Sequence, residues 1–219
     1  MEVYPDVHLV EEVRGSNCYL ICGPELILID TGLPGQVRQI LDYISGLGRS
    51  VGELHWIVLT HHDIDHIGNA AELQRLIGAE VCMHPADVDY VQGKVRRRPF
   101  WKAWLCDLTI ALRKLQPPEI NRLVHDGETI GPLEVIHTPG HSAGSISLKY
   151  GSVLFVGDLV RGGRFPRENF FLTNEDNNLA RASIKKLAQL DFEVLCPGHG
   201  RPISRAAERL RHLASRWAR

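Results

Sequence analysis

The chain consists of short apolar runs separated by turns rich in glycine, proline and polar residues. Near the N-terminus, apolar runs at residues 7–13, 17–22 and 26–30 predict three strands joined by tight turns. Residues 34–47 predict a helix, because Val37, Ile40 and Ile44 recur at helical spacing. This part of the chain is therefore predicted to be a β-meander followed by a helix.

The alternation of strands and helices continues to the end of the chain. Residues 85–118 are predicted to be a largely helical insertion, and a last helix is predicted to begin near Ser204, a good N-cap residue. Strands flanked by helices predict an α/β (α+β) sandwich of two sheets with helices outside, and residues 1–219 are treated as one domain. The other predicted strands are 54–59, 79–83, 129–137, 145–150, 152–156 and 192–196, and the other predicted helices are 69–77 and 174–190.

A dense group of polar side chains follows the strand at 54–59. Residues 60–68 read Thr-His-His-Asp-Ile-Asp-His-Ile-Gly, so five side chains that can ligate a metal fall within positions 61–66. Burying polar or ionised groups costs free energy unless they are paired or bound to metal. This group is therefore not explained by packing of a hydrophobic core. Its place at the end of a strand would hold the side chains in fixed geometry.

Three further strands end in the same way. The strand at 133–136 leads through a Pro-Gly turn to His141, the strand at 153–156 leads to Asp158, and the strand at 192–196 leads to His199. Repetition of this layout indicates that several strand ends aim their side chains at one place. Imidazole and carboxylate ligands together suit zinc, and also iron or manganese.

These four motifs, in this order, resemble those of the metallo-β-lactamase superfamily. The H-x-H-x-D-H run of that family resembles residues 61–66, its TPGH turn resembles 138–141, its GD resembles 157–158 and its final GH resembles 198–199. Residues 30–32, Asp-Thr-Gly, are similar to a turn common in the family. The resemblance covers nearly the whole chain and implies a four-layer αββα sandwich of two mixed β-sheets with metal-dependent hydrolase activity.

The resemblance also implies a site for two metal ions. Asp65 and Asp158 would hold metal and orient the nucleophile, which makes them the candidate catalytic residues. The implied ligands are His61, Asp63 and His141 for the first ion, Asp65, His66 and His199 for the second, and Asp158 as a bridge between the two.

One position departs from the family pattern. Asp63 stands where the family usually has its second histidine, whereas His62 occupies a variable position that is not normally a ligand. With Asp63 the implied ligands carry three negative charges rather than two, which favours iron or manganese more than a histidine would. Two divalent ions are therefore expected, with zinc as the first expectation and iron or manganese as alternatives.

Composition is that of an ordinary globular protein. A net charge of −1 gives no indication of a nucleic-acid partner. The five cysteines are odd in number and form no C-x-x-C pair, which predicts buried free thiols in a reducing compartment. The N-terminus shows neither the basic start nor the apolar stretch of a signal peptide. We therefore expect a cytoplasmic protein without membrane association.

Two segments without a ligand motif could border the site. Residues 94–115 have three possible roles. They could form a cap over the site, in which Arg96–Arg98 attract an anionic substrate; they could form an amphipathic surface helix packed on the core; or they could form a contact in a homodimer. The glycine-rich loop at 161–167 is either a substrate rim or a tight connection, whereas His137 and His84 are expected to be structural. The positions predicted to pack on the core are Trp101, Trp104, Leu105, Leu108, Leu112 and Leu115.

Several functions are compatible with such a site. The leading hypothesis is hydrolysis of a small ester, thioester or lactone by a metal-bound hydroxide, which needs no serine or cysteine nucleophile. Glyoxalase II-like thioesterases and lactonases share the motifs. Only about 20 residues follow His199, too few for the added C-terminal domain of glyoxalase II, so its glutathione thioester is less favoured. The alternatives are a phosphodiesterase or nuclease, an iron-dependent persulfide or oxygen redox enzyme, and a metal-binding protein without turnover.

Overall fold

Two mixed β-sheets pack face to face and helices cover both outer faces in the computed structural model, which describes residues 1–96, 100–113 and 115–217. The predicted four-layer αββα sandwich is confirmed. The first sheet comprises β1 (Glu2–Tyr4), β2 (Val7–Leu9), β3 (Tyr19–Cys22), β4 (Leu26–Ile29), β5 (Leu54–Val58), β6 (Glu80–Met83) and β7 (Arg122–Leu123). The second comprises β8 (Thr129–Ile130), β9 (Leu133–His137), β10 (Ile146–Tyr150), β11 (Val153–Phe155), β14 (Val194–Cys196) and β15 (Ile203–Ser204), and β12 (Val160–Arg161) pairs with β13 (Arg167–Glu168) in a separate hairpin.

The helices connect the strands and flank the sheets. They are α1 (Val37–Gly46), α2 (Ile64–Ile67), α3 (Ala70–Ile77), α4 (Pro85–Val91), α5 (Phe100–Arg113), α6 (Asn177–Leu187) and α7 (Ala206–Ser215). None of these described helices combines the length and the apolar character that crossing a bilayer requires.

Parallel pairing brings the ligand-bearing strand ends together. In the first sheet β1 to β4 are antiparallel, whereas β4, β5, β6 and β7 are parallel neighbours. In the second sheet, of spatial order β15-β14-β11-β10-β9-β8, the pair β11 and β14 is parallel. Carboxyl ends of parallel neighbours meet at the same edge of a sheet, which is where α/β proteins place their sites. The loops that follow β11 and β14 are therefore adjacent, and the loop that follows β5 meets them from the first sheet, where His66 Nε2 lies 3.3 Å from Asp158 Oδ1.

The continuous apolar runs are explained by burial on both faces of each sheet. In β4, Leu26 and Leu28 pack with α1 and α3, whereas Ile27 and Ile29 pack against the second sheet. Alternate side chains of a strand point to opposite faces, so both sets must be apolar when both faces are covered. Each such side chain contributes roughly 1.5–3 kcal/mol when fully buried.

Most predicted elements are present but shorter than predicted, and some differ. Residues 129–137 form the hairpin of β8 and β9 rather than one strand. Ser204 belongs to β15, and Arg205, with φ of 50°, precedes α7 without a side-chain cap, so the predicted N-cap was wrong. The strands β1, β7 and β15 were not predicted, because runs of two or three residues show no periodicity.

The helical insertion differs from the sequence prediction in its orientation. Trp104, Leu108 and Leu112 are 60%, 42% and 75% exposed, whereas Ala103 and Cys106 are buried. The prediction that these three large side chains pack on the core was therefore wrong, since α5 turns its small residues inward. The structure does not describe residues 97–99 or the side chains of residues 100–102 and 105. The expectations for Arg97, Arg98, Trp101 and Leu105 are therefore untested. Leu115, at the end of the segment, is partly buried.

Candidate metal centre

The seven predicted ligands converge at the edge of the sandwich where β5, β9, β11 and β14 end. They form two groups, within each of which the potential ligand atoms all lie within 4.8 Å of one another. The first group is His61, Asp63, His141 and Asp158, and the second group is Asp65, His66 and His199.

Asp158 connects the two groups. Its Oδ1 lies 3.3 Å from His66 Nε2, and its Oδ2 lies 3.3 Å from His199 Nε2 and 3.8 Å from His141 Nε2. Within the first group, Asp63 Oδ2 lies 3.0 Å from His141 Nε2. One carboxylate therefore faces both groups, which is the geometry expected of a bridge.

Local backbone structure separates the two groups along residues 61–66. The short helix α2 begins directly after Asp63, with the N–H of His66 donating to the Asp63 carbonyl. Asp63 and Asp65 thereby face different groups although they are two positions apart. On the opposite side, a Cβ on Gly198 would collide with Asp158 Oδ1 and lie 2.7 Å from His66 Cε1, so glycine is required for His199 to approach.

The outer nitrogens of three histidines are held by oxygen atoms. His66 Nδ1 lies 2.7 Å from Asp30 Oδ2, and Asp30 also accepts the Thr60 hydroxyl, which lies 3.0 Å from His61 Nδ1. His141 Nδ1 lies 3.1 Å from Asn174 Oδ1. Such contacts fix the ring orientation and leave each Nε2 directed at the centre. The sequence had marked the turn of Asp30 but not its role, and nothing in the sequence pointed to Asn174.

His62 does not join either group. Its Nδ1 lies 2.9 Å from Asp87 Oδ2, and its ring stacks on Tyr90 with a centroid distance of 4.4 Å. The geometry thus agrees with the choice of Asp63 over His62 as the candidate ligand. Asp87 was missed because it lies in the helical insertion, which carries no family motif.

Unsatisfied buried atoms at the centre fit a bound cation. In the described part of the chain, His61 Nε2, His66 Nε2 and Asp158 Oδ1 are buried and have no hydrogen-bond partner. Buried polar atoms are otherwise almost always hydrogen-bonded. Three such atoms in a cluster of imidazoles and carboxylates match the donor set of zinc, iron or manganese.

Burial and neighbouring charges shift the pKa values of the residues at the centre in different directions. Burial lowers the pKa of His61 to about 4, with His66 adding to the effect. Burial also acts to lower the pKa of His199, but hydrogen bonds to Asp158 and Asp65 outweigh it and raise that pKa to about 9. Burial acts to raise the pKa of Asp158, yet His66 and His199 hold it well below its usual range. The Asp158 carboxylate is therefore charged, as a metal ligand must be.

The glycine-rich loop after Asp158 is a tight connection that also contacts the centre. It forms the turn between β12 and β13, and the Gly162 N–H donates to the His199 carbonyl at 2.8 Å. Farther on, the Asn169 side chain donates to the Asp158 carbonyl at 2.8 Å. Between Asn169 and Asn174, three apolar side chains are about half exposed: Phe170, Phe171 and Leu172.

Two other predicted features lie beside the centre. His137 Nε2 donates to the Ala143 carbonyl at 2.9 Å and so braces the turn around His141, as predicted, while His84 stacks on His137. A groove separates α5 from α2, and Ile64 and Ile110 are among the residues that line it. The insertion therefore lies next to the helix that carries Asp65 and His66.

The fold and the clustered imidazoles and carboxylates define a protein of the metal-dependent hydrolase type. A sequence profile of the metallo-beta-lactamase superfamily matches residues 12–199. The chain belongs to this superfamily.

Individual relatives agree with this assignment. The chain is 30% identical over 219 residues to the probable metallo-hydrolase YflN of Bacillus subtilis, with 88% of this chain and 83% of that protein covered. The metallo-beta-lactamase family protein TTHA1429 from Thermus thermophilus superposes with a TM-score of 0.74 at 25% identity, covering 98% of this chain and 80% of that one. The structure of TTHA1623 in a di-iron-bound form superposes with a TM-score of 0.69 at 27% identity and covers 92% of both chains.

Proposed function

We propose that the chain is a binuclear metal-dependent hydrolase that cleaves a small ester, thioester or lactone. The observation that carries the proposal is the convergence of seven imidazole and carboxylate side chains, with buried nitrogen and oxygen atoms that lack a hydrogen-bond partner. The proposed ligands are His61, Asp63 and His141 for one ion, Asp65, His66 and His199 for the other, and Asp158 as the bridge.

Two divalent ions at this centre would supply a nucleophile near neutral pH and polarise the substrate carbonyl. The protein's own residues position these groups. Asp65 and Asp158 are the proposed catalytic residues, because Asp158 faces both groups and Asp65 is 28% exposed at the open side. His199, also partly exposed, would hold or release a proton at Nε2 as the site is loaded.

Ser142 stands in a G-x-S-x-G sequence at residues 140–144, but its hydroxyl is not arranged as a nucleophile. Ser142 follows His141, but its Oγ donates to Asp87 Oδ2 at 2.7 Å and lies 2.8 Å from the Ser145 hydroxyl. His62 Nδ1 lies 2.9 Å from the same oxygen of Asp87. The Ser142 hydroxyl thus directs its proton at a carboxylate, whereas an activated serine donates it to an imidazole base. This arrangement favours attack by water.

The apolar turn beside the centre supports a substrate with an apolar portion. Phe170, Phe171 and Leu172 are exposed, and the turn is held between Asn169, bonded to Asp158, and Asn174, bonded to His141. A small carbonyl substrate with an alkyl or aryl group fits such a border better than a phosphodiester anion does.

As the metal of this centre, iron has a specific observation in its favour. TTHA1623 has been solved with two iron ions bound, and the carboxylate of Asp63 is a harder ligand than imidazole. Zinc remains the proposed metal for hydrolysis, and an iron-dependent redox enzyme is the second candidate. A cytoplasmic location stays a prediction from the number and spacing of the five cysteines.

The proposal can be tested by loading the purified protein separately with zinc, manganese or iron(II). Each preparation is assayed on aryl esters, thioesters, lactones and an aryl phosphodiester, with oxygen uptake in the presence of a persulfide measured in parallel. We expect carbonyl substrates to be hydrolysed best, with activity lost on chelation and restored by metal. Asp65→Asn is the matched inactive control. Faster turnover of the phosphodiester, or oxygen uptake without hydrolysis, would refute the proposal.

A further inference from the structure

Asp87 is a fully buried carboxylate outside the seven proposed ligands. It lies on α4, the first helix of the insertion. Its Oδ2 accepts from the backbone N–H of His62 at 3.0 Å, from His62 Nδ1 at 2.9 Å and from the Ser142 hydroxyl at 2.7 Å. Its Oδ1 accepts from the Gly144 N–H at 2.7 Å. One carboxylate therefore receives four hydrogen bonds.

The four donors belong to two different loops of the centre. His62 stands between His61 and Asp63 in the loop after β5, and Ser142 directly follows His141 in the loop after β9. Asp87 thereby joins the loop that carries two members of the first group to the loop that carries a third.

The contact between α4 and these loops is close. A Cβ on Gly144 would lie 2.5 Å from Asp87 Oδ1, so a larger residue there would push the loop away from α4. One helical turn after Asp87, the Tyr90 ring lies parallel to the His62 ring, with 10° between the planes. The helix thus holds His62 both by its backbone and by its ring.

The second group is held by other residues. The Ser16 hydroxyl donates to the Asp65 carbonyl at 2.7 Å, Asp30 contacts His66, and Gly162 donates to the His199 carbonyl. Among the described residues, the side-chain hydrogen bonds of Asp87 reach only the two loops of the first group.

We propose that Asp87 is a positioning residue that sets the spacing between His61 and Asp63 on one loop and His141 on the other. It would thereby determine the affinity of the first metal position and not that of the second, an inference that rests on the proposed binuclear centre. The pair Asp63 and His141, 3.0 Å apart, spans the two loops that Asp87 joins. Ligand groups must be held to within roughly 0.5 Å, and loss of a residue that orients ligands weakens metal binding by about 10–100-fold.

The test measures each metal position alone. The double variant Asp65→Asn/His199→Ala retains the first group, and the double variant His61→Ala/His141→Ala retains the second. Asp87→Asn is introduced into both, and Co²⁺ is titrated against a competing chelator while its visible absorption bands are recorded. Asparagine keeps the size of the side chain and one acceptor oxygen, but its NH2 group only donates, so either the bond from Gly144 or the bonds from His62 and Ser142 are lost.

We expect Asp87→Asn to weaken Co²⁺ binding about 10–100-fold and to alter the absorption bands where only the first group remains. Where only the second group remains, both affinity and bands should be unchanged. Asn121→Ala is the control for general destabilisation, because it removes bonds to Val81 and Gln74 that lie away from the centre. It should alter the melting temperature without altering either Co²⁺ affinity.

Equal weakening in the two backgrounds, or no weakening where the first group remains, would overturn the proposal. If Asp87→Asn does not fold, Ser142→Ala replaces it, since this change removes one of the four bonds and retains the buried carboxylate. A smaller loss of Co²⁺ affinity is then expected, again only where the first group remains. If no such loss is found, the result counts equally against the role of Asp87. Because Co²⁺ affinity is measured without substrate, a failure to find hydrolysis leaves this result intact.

Discussion

The two groups of proposed ligands differ in how far they are open to solvent. In the first group the side chains of His61, Asp63 and His141 are 1%, 5% and 1% exposed. In the second group His66 is buried, but Asp65 and His199 are 28% and 21% exposed. Both groups share Asp158, so the centre has a closed half and an open half joined by one carboxylate.

This difference separates two tasks of the proposed metal centre, which are to hold its ligands rigidly and to admit the substrate. The closed half is held by Asp87 on α4 and by Asn174, which lies shortly before α6. The open half faces the side on which a substrate or an exchanging ion would arrive. Residues 61–66 contribute to both halves, whereas His141 on the loop after β9 belongs to the closed half and His199 on the loop after β14 to the open half.

Asp158→Ala removes the one residue that the two halves share and should have the largest effect. Loss of the bridge leaves both ions short of a ligand and two close cations unscreened. We expect hydrolysis to fall at least about 100-fold, and metal content to fall to one equivalent or less. Elemental analysis and assays on the same preparation measure both. Two full equivalents in the variant would contradict the bridging role.

Timed chelation should remove the two ions in a fixed order. The ion of the open half is expected to leave first, on the order of tenfold faster, because Asp65 and His199 are accessible and the ligands of the closed half are buried and braced. Crystals transferred to chelator for increasing times, with anomalous scattering measured at the metal edge, would follow each position. Simultaneous loss, or earlier loss from the closed half, would remove the distinction between the halves.

The proposed ligands and the residues that hold them in place were not equally predictable from the sequence. All seven proposed ligands lie in short motifs at strand ends, and such local patterns survive in a single sequence. Asp87 and Asn174 act through contacts with residues 25 and 33 positions away, and neither has a local signature. Helical spacing in α5 identified an apolar stripe but not its direction, because the small residues Ala103 and Cys106 form the buried face instead.

Asp63→His tests whether charge in the closed half governs the choice of metal. The change replaces a hard anionic ligand by a softer neutral one, so preference for zinc over manganese should rise by about tenfold. Competition between the two metals, measured in the parent and the variant, gives this ratio. The same change at Asp42, an exposed residue of α1, is the control and should leave the ratio unchanged. Equal ratios in parent and Asp63→His would show that this charge does not govern metal choice.

Trp104→Ala has the smallest expected effect of the changes considered. It tests whether the helical insertion borders the substrate side of the open half. Trp104 is 60% exposed, so we expect its loss to change the free energy of unfolding by about 0.5 kcal/mol or less, not by the roughly 3–5 kcal/mol of a buried tryptophan. Because α5 lies across a groove from the helix that carries Asp65 and His66, KM should nevertheless rise several-fold with metal content constant.

A matched change away from the site completes this last test. Leu76 on α3 is 49% exposed, similar to Trp104, and Leu76→Ala should alter neither stability nor KM. Melting temperature and kinetics are measured on the same preparations of both variants. A raised KM for Trp104→Ala alone assigns the insertion to the substrate side of the open half. An unchanged KM would show that residues 94–115 do not cap the substrate path. The insertion would then act only on the closed half, through Asp87.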